Sequence, residues 1–346
     1  MVGLLIFGLI MVYDAAVVQA FKDYGDKYYY IKQQLVWMIL GIFTLGFFTF
    51  FNYQFLRKLA LPLFIFSLIL LLAVFVPGLG FSAGGAHRWL NLGSVNIQPA
   101  EIIKLTSIIF FASLFDKKVK TFPFFSVVFL VSFIIGFLQK DLGSTAVFFL
   151  TSVFIYFFAG APVQYLLGLI PVSIIGFLVF VLSSSYRKNR VLAFLDPFAD
   201  PQGYSYHISQ VLIAIGSGGF TGLGIGQSRQ KFEYIPEVTT DSIFAVVGEE
   251  LGFLGSLFLI SLFIFLIYKG FKITQSCNEP FGRLLAFGLT CWLGIQTIVN
   301  LGAMVSLFPL TGVPLPFISY GGSALLVNLM AVGILLNISS RSKLVQ

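Results

Sequence analysis

The sequence predicts an all-α, polytopic membrane protein with about ten transmembrane helices. Hydrophobic residues occupy 58% of the 346 positions and charged residues only 10%, and 42 residues are phenylalanine. The mean hydropathy is +0.96. Soluble domains are nearer half apolar and a quarter charged, and one water-soluble core cannot bury this much apolar surface. The composition therefore excludes a soluble enzyme, a disordered chain and a secreted disulfide-rich scaffold.

Ten apolar segments approach the length of roughly 20 residues that a helix needs to cross the hydrocarbon core of a bilayer. They lie at about 2–20, 33–51, 59–76, 101–115, 122–138, 142–160, 164–183, 241–268, 284–308 and 318–338. The distribution of Lys and Arg between the loops predicts that both termini face the cytoplasm. The cytoplasmic loops would then hold ten of the 21 basic residues, among them Lys117 and Lys118.

Two predicted outside segments are too long to be simple connections. One spans about 77–100, and the other, between the seventh and eighth helices, spans about 184–240. The second is rich in Gly, Pro and polar residues without being of low complexity. Because long ordered loops in compact proteins usually carry function, we expect a single membrane domain, residues 1–346, whose functional site involves the 184–240 loop.

Several common functional motifs are absent from the sequence. The chain has neither a P-loop nor a G-x-S-x-G nucleophile elbow. Two histidines, His87 and His207, are too few for a histidine-built metal site, and Cys277 and Cys291 predict no structural disulfide. The net charge of +7 suits loops beside anionic membrane lipid. No basic run with interleaved aromatic residues indicates nucleic-acid binding.

Charged residues at membrane depth are costly and usually functional. Glu101 and Lys104 are three residues apart, so they share one face of a helix. In one interpretation the two residues neutralise each other in the interior of the helix bundle. In the other, Lys104 faces an anionic substrate and Glu101 orients the lysine side chain. The run Gln139-Lys140-Asp141 interrupts two apolar spans. It is either a plain tight loop or a re-entrant break that lines a cavity.

Asp241 opens a long apolar span directly after Thr239-Thr240. As an acid at a helix N-terminus it would have a lowered pKa, whereas like-charge repulsion from Glu237 would raise one of the two pKa values. Glu249 and Glu250 lie deeper in the same span. Because unpaired buried acids are expensive, they require a basic or hydrogen-bonding partner, which the sequence does not identify.

A glycine-rich stretch and several basic residues lie in the predicted outside segments. The stretch from Gly216 to Gly226 is either a tightly turned loop or a backbone cradle for a ligand phosphate. A basic cluster near the headgroup level would attract a lipid diphosphate, although each residue taken singly is typical of a solvated loop. The basic residues are Arg88, Arg187, Lys188, Arg190, Arg229 and Lys231.

Five strings, in order along nearly the whole chain, resemble motifs of the SEDS family, the shape, elongation, division and sporulation proteins that include FtsW, RodA and SpoVE. The strings are His87-Arg88-Trp89-Leu90 with Gln98 to Lys104, Gln139 to Ala146, Gln210 to Lys231, Tyr234 to Gly252, and Pro309 to Ser323. Three positions depart from the family pattern: Lys140 replaces a proline, Ser242 a phenylalanine, and Asp14 a residue that is commonly serine. Segments near the N-terminus, such as Tyr24-Gly25-Asp26, are most similar to the division member.

This resemblance implies a ten-helix peptidoglycan glycosyltransferase. Such an enzyme polymerises lipid II, an undecaprenyl-diphosphate-linked disaccharide-pentapeptide, on the outer face of the bacterial cytoplasmic membrane. The acid of the family's threonine–aspartate motif, here Asp241, would be the catalytic residue. The implied partner is a class B penicillin-binding transpeptidase. No cofactor is implied with certainty, and a divalent cation at Asp241 is left open.

The remaining site residues are candidates for binding the substrate. Cationic groups or a metal must neutralise the charge that develops on the leaving diphosphate, and the candidates for this role are Lys231, Arg229, Arg88 and Lys140. Further candidates for substrate binding are Glu101, Lys104, Glu237, Ser319, Gly321 and Gly322. The alternative functions are a lipid II flippase without chemistry of its own, and a scaffold that docks a partner. An outer acid beside a long loop, without repeat symmetry, favours the enzyme.

Overall fold

The computed structural model describes residues 1–83, 86–91, 93, 96–116, 119–231 and 234–344. Lys117 and Lys118, assigned above to a cytoplasmic loop, lie outside the described residues. The helices in chain order are α1 (Val2–Tyr24), α2 (Tyr29–Phe50), α3 (Gln54–Ala73), α4 (Pro99–Phe115), α5 (Thr121–Phe133, followed by a π-helical turn Ile134–Leu138), α6 (Leu142–Phe158), α7 (Val163–Leu182), α8 (Ser185–Leu195), α9 (Tyr206–Ser217), α10 (Ile243–Ser276), α11 (Pro280–Met304) and α12 (Gly322–Leu344).

Each of the ten apolar segments predicted from the sequence coincides with a helix of the structure. Seven helices in the described residues are long and apolar enough to cross a membrane, namely α1, α2, α3, α5 with its π-helical turn, α10, α11 and α12. The prediction of a multi-pass membrane protein is therefore confirmed. The count of ten spans, and the sides on which the loops lie, stay predictions.

The segment predicted as the first outside loop forms a small antiparallel sheet, so the fold is not purely helical. Its strands are β1 (Gly80–Ala83), β2 (Ala86–Asn91) and β3 (Asn96–Ile97), in the order β1-β2-β3. In β2, Ala86 and Leu90 are buried, whereas His87 and Asn91 are exposed. Burial of alternate residues is favourable in a strand, and this sheet is a small addition to a chain that is mostly helical, as predicted.

Helix α10 bends at Gly252, where the backbone has φ 63° and ψ −159°. Four backbone hydrogen bonds join the glycine-rich stretch to this break: Leu223 N to Glu249 O, Gly224 N to Glu250 O, Phe253 N to Gly219 O and Leu254 N to Phe220 O, at 2.9 to 3.2 Å. An added Cβ at Gly222 would overlap the carbonyl of Glu250. The glycines are therefore needed for close backbone approach to the kinked helix, which supports the tightly-turned-loop alternative.

The chain divides into two compact units. The first contains Met1–Val36, Ser173–Leu266 and Gln296–Gly321, and the second contains Trp37–Val172, Ile267–Ile295 and Gly322–Gln346. Asp241 and the glycine-rich stretch therefore belong to the first unit. Arg88, Lys140 and the Glu101–Lys104 pair belong to the second.

Candidate functional site

Asp241 lies in the first unit, two residues before α10, and only 5% of its surface is exposed. Its backbone is held by Asn300 on α11, whose Nδ2 donates to the carbonyls of Asp241 and Val313, each at 2.8 Å. Asn300 is itself 1% exposed. Since buried carbonyls without partners are costly, one side-chain amide stabilises both the start of α10 and the turn that contains Val313.

Two predicted substrate-binding residues, Ser319 and Gly321, lie in the segment that follows this turn. The hydroxyl of Ser319 accepts a hydrogen bond from Leu315 N at 2.8 Å. Gln34 on α2 donates to the Ser319 carbonyl and accepts from Gly321 N, both at 3.4 Å. The hydroxyl and carbonyl of Ser319 and the amide of Gly321 therefore have partners within the protein, and their role in substrate binding stays a prediction.

The pKa of Asp241 is raised from 3.8 to about 6. Burial contributes most, and the negative charge of Glu237 adds to it; the positive charge of Arg190 opposes both. Thr240 Oγ1 lies 3.3 Å from Asp241 Oδ1 and 3.1 Å from Glu237 Oε2. Of the two directions considered from the sequence, the structure therefore favours the raised pKa. A pKa near the working pH suits a general base.

A histidine also approaches this site. His207 Nε2 lies 2.8 Å from the hydroxyl of Ser242, the residue that follows Asp241. Burial, helped by the charge of Arg190, lowers the pKa of His207 to about 4, so its imidazole is neutral at pH 7. Sequence reasoning gave His207 no role. The sequence offered one clue to this contact: residue 242 is a serine, where the family usually has a phenylalanine.

The two acids deeper in α10, Glu249 and Glu250, find the partners that the sequence did not identify. Their carboxylates accept five hydrogen bonds from the loop: from Gly226 N, Ser228 N, Ser228 Oγ, Arg229 N and Gln230 N, at 2.5 to 3.4 Å. The ammonium of Lys231 adds an ion pair with Glu250 at 3.1 Å. Buried acids satisfied in this way anchor the loop to α10.

Lys231 and Arg229 differ in their environments. Lys231 is 5% exposed, and its Nζ lies 2.8 Å from Asp14 Oδ1 and 3.1 Å from Glu250 Oε1. Although burial alone would lower the pKa of Lys231, its two carboxylate partners raise it. Lys231 is thus charged and already paired, which does not favour its predicted role at a diphosphate. Arg229 is exposed and remains a candidate.

The second unit brings Arg88 and Lys140 together. Arg88 Nη2 donates to the Lys140 carbonyl at 2.5 Å, and its Nε lies 3.9 Å from a carboxylate oxygen of Asp141. Lys140 has a positive φ of 56° and an exposed side chain. Asp141 caps α6 by accepting from Ser144 N at 3.0 Å. Gln139-Lys140-Asp141 is therefore a tight turn, as one of the two alternatives predicted.

Glu101 and Lys104 form an interior ion pair in the second unit. Their Oε1 and Nζ atoms are 2.8 Å apart, and both side chains are almost fully buried. The lysine ammonium also lies 5.5 Å from the centroid of the Trp292 ring. This geometry matches the neutralising-pair alternative. Gly322, the remaining candidate, packs against the indole of Trp37, which an added Cβ would overlap.

The described residues around Asp241 offer a cation two carboxylates, those of Asp241 and Glu237. In the described ranges no group of three or more His, Cys, Asp and Glu side chains lies close enough to hold a metal ion. Two carboxylates are fewer than the oxygen-rich cages typical of protein-bound calcium, whereas magnesium is usually held by one or two carboxylates together with substrate phosphates. A divalent cation at Asp241 therefore stays open, as it was from the sequence.

Comparison with known proteins covers nearly the whole chain. The family model described as a cell cycle protein, which groups FtsW, RodA and SpoVE, matches residues 1–344. The chain is 40% identical to the probable peptidoglycan glycosyltransferase FtsW of Geobacter metallireducens, over 99% of this chain and 93% of that protein. It is 38% identical to stage V sporulation protein E of Bacillus subtilis, over 98% of this chain and 95% of that protein.

Solved structures resemble this chain over nearly its whole length as well. A chain of a peptidoglycan synthase complex, studied for its coordination of polymerization and crosslinking, superposes with a TM-score of 0.78 at 28% identity, covering 99% of this chain and 98% of that one. The crystal structure of the rod shape determining protein RodA of Thermus thermophilus gives a TM-score of 0.70 at 26% identity, covering 98% and 94%. The likeness in fold thus extends over nearly the full length.

Proposed function

Because the chain belongs to the family of cell cycle proteins that groups FtsW, RodA and SpoVE, we propose that it is a peptidoglycan glycosyltransferase that polymerises lipid II. Its site would face the outside of the bacterial cytoplasmic membrane, with both termini inside. The single observation that carries the mechanism is the buried carboxyl of Asp241, whose pKa is raised to about 6.

The proposed reaction needs one proton acceptor. The hydroxyl oxygen of the acceptor sugar attacks the anomeric carbon of the donor sugar, and the bond from that carbon to the diphosphate oxygen breaks. Its electron pair leaves with the lipid diphosphate, and direct displacement inverts the anomeric carbon. Asp241, ionised above about pH 6, takes the hydroxyl proton as the new bond forms. Burial of Asp241 raises its affinity for that proton.

The leaving diphosphate requires positive charge. Among the predicted residues, Arg229 and Lys140 have exposed side chains, and Arg88 is about two-thirds buried while held to the Lys140 carbonyl. Arg229 belongs to the same unit as Asp241, so we assign the diphosphate to Arg229, whereas the roles of Arg88 and Lys140 in the second unit stay predictions. A planar guanidinium can pair with two phosphate oxygens at once.

The expected partner is a class B penicillin-binding transpeptidase, which would cross-link the strands that this enzyme makes. The support is the similarity to a chain of a complex that coordinates polymerization and crosslinking. The flippase alternative is less favoured, because the buried acids Glu249 and Glu250 are engaged by the loop and by Lys231. Acids already bonded in this way do not offer an open polar path for transport.

The decisive experiment is polymerisation of lipid II by the purified protein, with and without the transpeptidase. Glycan strands are expected from the parent. They should be lost in Asp241→Asn and kept in the matched control Asp23→Asn, which changes an exposed aspartate. Equal activity of the two variants would contradict the role of Asp241. Transport of labelled lipid II across vesicles without any glycan product would instead support the flippase.

A further inference from the structure

The second unit contains a large cavity that the proposed reaction does not use. Its volume is about 940 Å³, and its walls come from the start of α3, the end of α4, the residue before α5 and the residue before α11. The helices α3, α5 with its π-helical turn, and α11 are long and apolar enough to cross a membrane. Because the cavity lies where these helices begin, it lies at the level of the lipid headgroups rather than in the hydrocarbon core.

The charge of the cavity favours an anionic ligand. Its charged side chains are Arg57, Lys58, Lys120, Asp116 and Glu279, so three cations stand against two acids. Both acids already have partners within the unit. Arg57 forms an ion pair with Asp116, and Glu279 Oε2 accepts a hydrogen bond from Gly282 N at 2.8 Å, in the first turn of α11. The acids therefore stabilise the walls, and the two lysines supply the charge that faces a ligand.

Lys58 and Lys120 come from different helices and meet at this one cavity. Lys58 lies on α3, and Lys120 directly precedes α5. Both side chains are exposed, and among the described residues neither forms an ion pair with an acid. A lysine ammonium is a compact point charge that binds phosphate oxygens. Two such charges at one cavity suit a phosphate group that carries a single negative charge, as in a phosphodiester.

Exposed aromatic side chains beside the two lysines indicate which phosphodiester fits. Phe55 on α3 is 51% exposed, and Phe122 on α5 is 82% exposed. Lys58 Nζ lies 5.7 Å from the centroid of the Phe55 ring, so a cation and an apolar surface are adjacent. A soluble phosphate compound gains nothing from the apolar surface. A phospholipid carries acyl chains directly beside its phosphate, and burial of those chains against aromatic rings is favourable.

We propose that this cavity binds the headgroup of an anionic membrane phospholipid, with Lys58 and Lys120 at its phosphate and Phe55 against an acyl chain. The proposal does not depend on glycan polymerisation. The orientation predicted from the sequence places these helix ends on the cytoplasmic side, where anionic lipids accumulate charge and basic pockets between transmembrane helices bind their headgroups. Because such a lipid binds the folded state, it stabilises the protein.

The test is native mass spectrometry of the full chain in detergent, titrated with dioleoyl phosphatidylglycerol or with dioleoyl phosphatidylcholine, which has the same chains and no net charge. The parent should bind the anionic lipid about tenfold more tightly. The double variant Lys58→Gln/Lys120→Gln should weaken binding of the anionic lipid at least fivefold and leave the neutral lipid unaffected. The matched control Lys269→Gln/Lys272→Gln changes two exposed lysines near the end of α10, outside the cavity, and should bind like the parent.

A melting curve without added lipid checks that each variant is folded. If the double variant melts early, the single variants Lys58→Gln and Lys120→Gln take its place, and each should weaken binding at least twofold. Equal weakening in the control would show that net charge alone attracts the lipid, which would overturn the site. Equal binding of the two lipids by the parent would also overturn it. Displacement of the anionic lipid by millimolar inorganic phosphate would make this a site for a soluble phosphate compound, and displacement by micromolar hexaglutamate would make it a surface for an acidic peptide; either result would refute the proposal.

Discussion

Replacing the proposed base should remove activity and at the same time stabilise the protein. Asp241→Asn is nearly isosteric, but an amide cannot take the hydroxyl proton, so we expect polymerisation to fall by about 10²- to 10⁴-fold. The stability effect follows from the pKa of Asp241, which is raised from 3.8 to about 6. The difference between a pKa of 3.8 and one of about 6 corresponds to about 3 kcal/mol between the two protonation states.

The sign of this effect follows from proton linkage. The folded protein binds the Asp241 proton more tightly than the unfolded chain does, so Asp241 lowers stability as the pH rises from about 4 to about 6. Above about pH 6 the carboxylate is charged and buried in the folded state. Asp241→Asn carries no such charge. We therefore expect this variant to be more stable than the parent by up to about 3 kcal/mol at pH 8, and about equally stable at pH 4.

The assay is unfolding in detergent between pH 4 and pH 8, for the parent, Asp241→Asn and the exposed control Asp23→Asn. The free energy difference between the parent and Asp241→Asn should grow through the interval from about pH 4 to 6 and then level off. The control should follow the parent. A difference that stays flat with pH, or an Asp241→Asn variant that is less stable at pH 8, would refute the assignment of a buried carboxylate with a raised pKa.

Three further variants, one of them with a matched control, test the surroundings of the site. Glu237→Gln removes a negative charge near Asp241, so the pKa of Asp241 should fall. The acid limb of the pH–rate profile should then move to lower pH. An unmoved limb would show that burial alone raises the pKa of Asp241. Lys231→Met leaves the buried carboxylate of Glu250 and the partly buried carboxylate of Asp14 without their cation, and it should cost about 3–5 kcal/mol in melting experiments. The exposed control Arg229→Met should cost less than about 0.5 kcal/mol. Equal losses would contradict the ion pair. Asn300→Ala removes the hydrogen bonds to the carbonyls of Asp241 and Val313, so it should lower stability by about 1–3 kcal/mol. It should also reduce kcat. A fully active variant would show that the Asn300 amide does not position Asp241.

The ten apolar helices could be predicted because length and hydropathy identify segments able to cross a bilayer, whereas α8 and α9, inside the segment predicted as the 184–240 loop, were not predicted. All ten apolar segments are helical. The ends were predicted less well: α10 continues to Ser276, past the segment end predicted near 268, because backbone hydrogen bonding continues where the chain becomes polar. The sheet at Gly80–Ile97 was not predicted, since its strands are short and gain their stability from local pairing rather than from a long periodic pattern.

The site was predictable only where it is local in sequence. The like-charge effect of Glu237 on Asp241 depends on four residues of spacing, and it appears in the structure. The contact between Asp14 and Lys231 joins residues 217 positions apart, which no spacing rule reveals. Two departures from the family pattern did carry a signal. Asp14 pairs with Lys231, and Ser242 contacts His207, so each unusual residue has its own partner.

The three acids of this region illustrate how surroundings divide roles within one segment. Glu249 and Glu250 accept hydrogen bonds from four backbone amides of the loop between residues 226 and 230. They also accept from the hydroxyl of Ser228 and from the ammonium of Lys231. Their oxygens are thus occupied, which suits a structural anchor. In the described part of the chain, Asp241 receives one side-chain donor, the hydroxyl of Thr240 at 3.3 Å. A buried carboxylate with few donors gains most from taking up a proton, and this makes Asp241, rather than the two better-bonded glutamates, the acid suited to proton transfer.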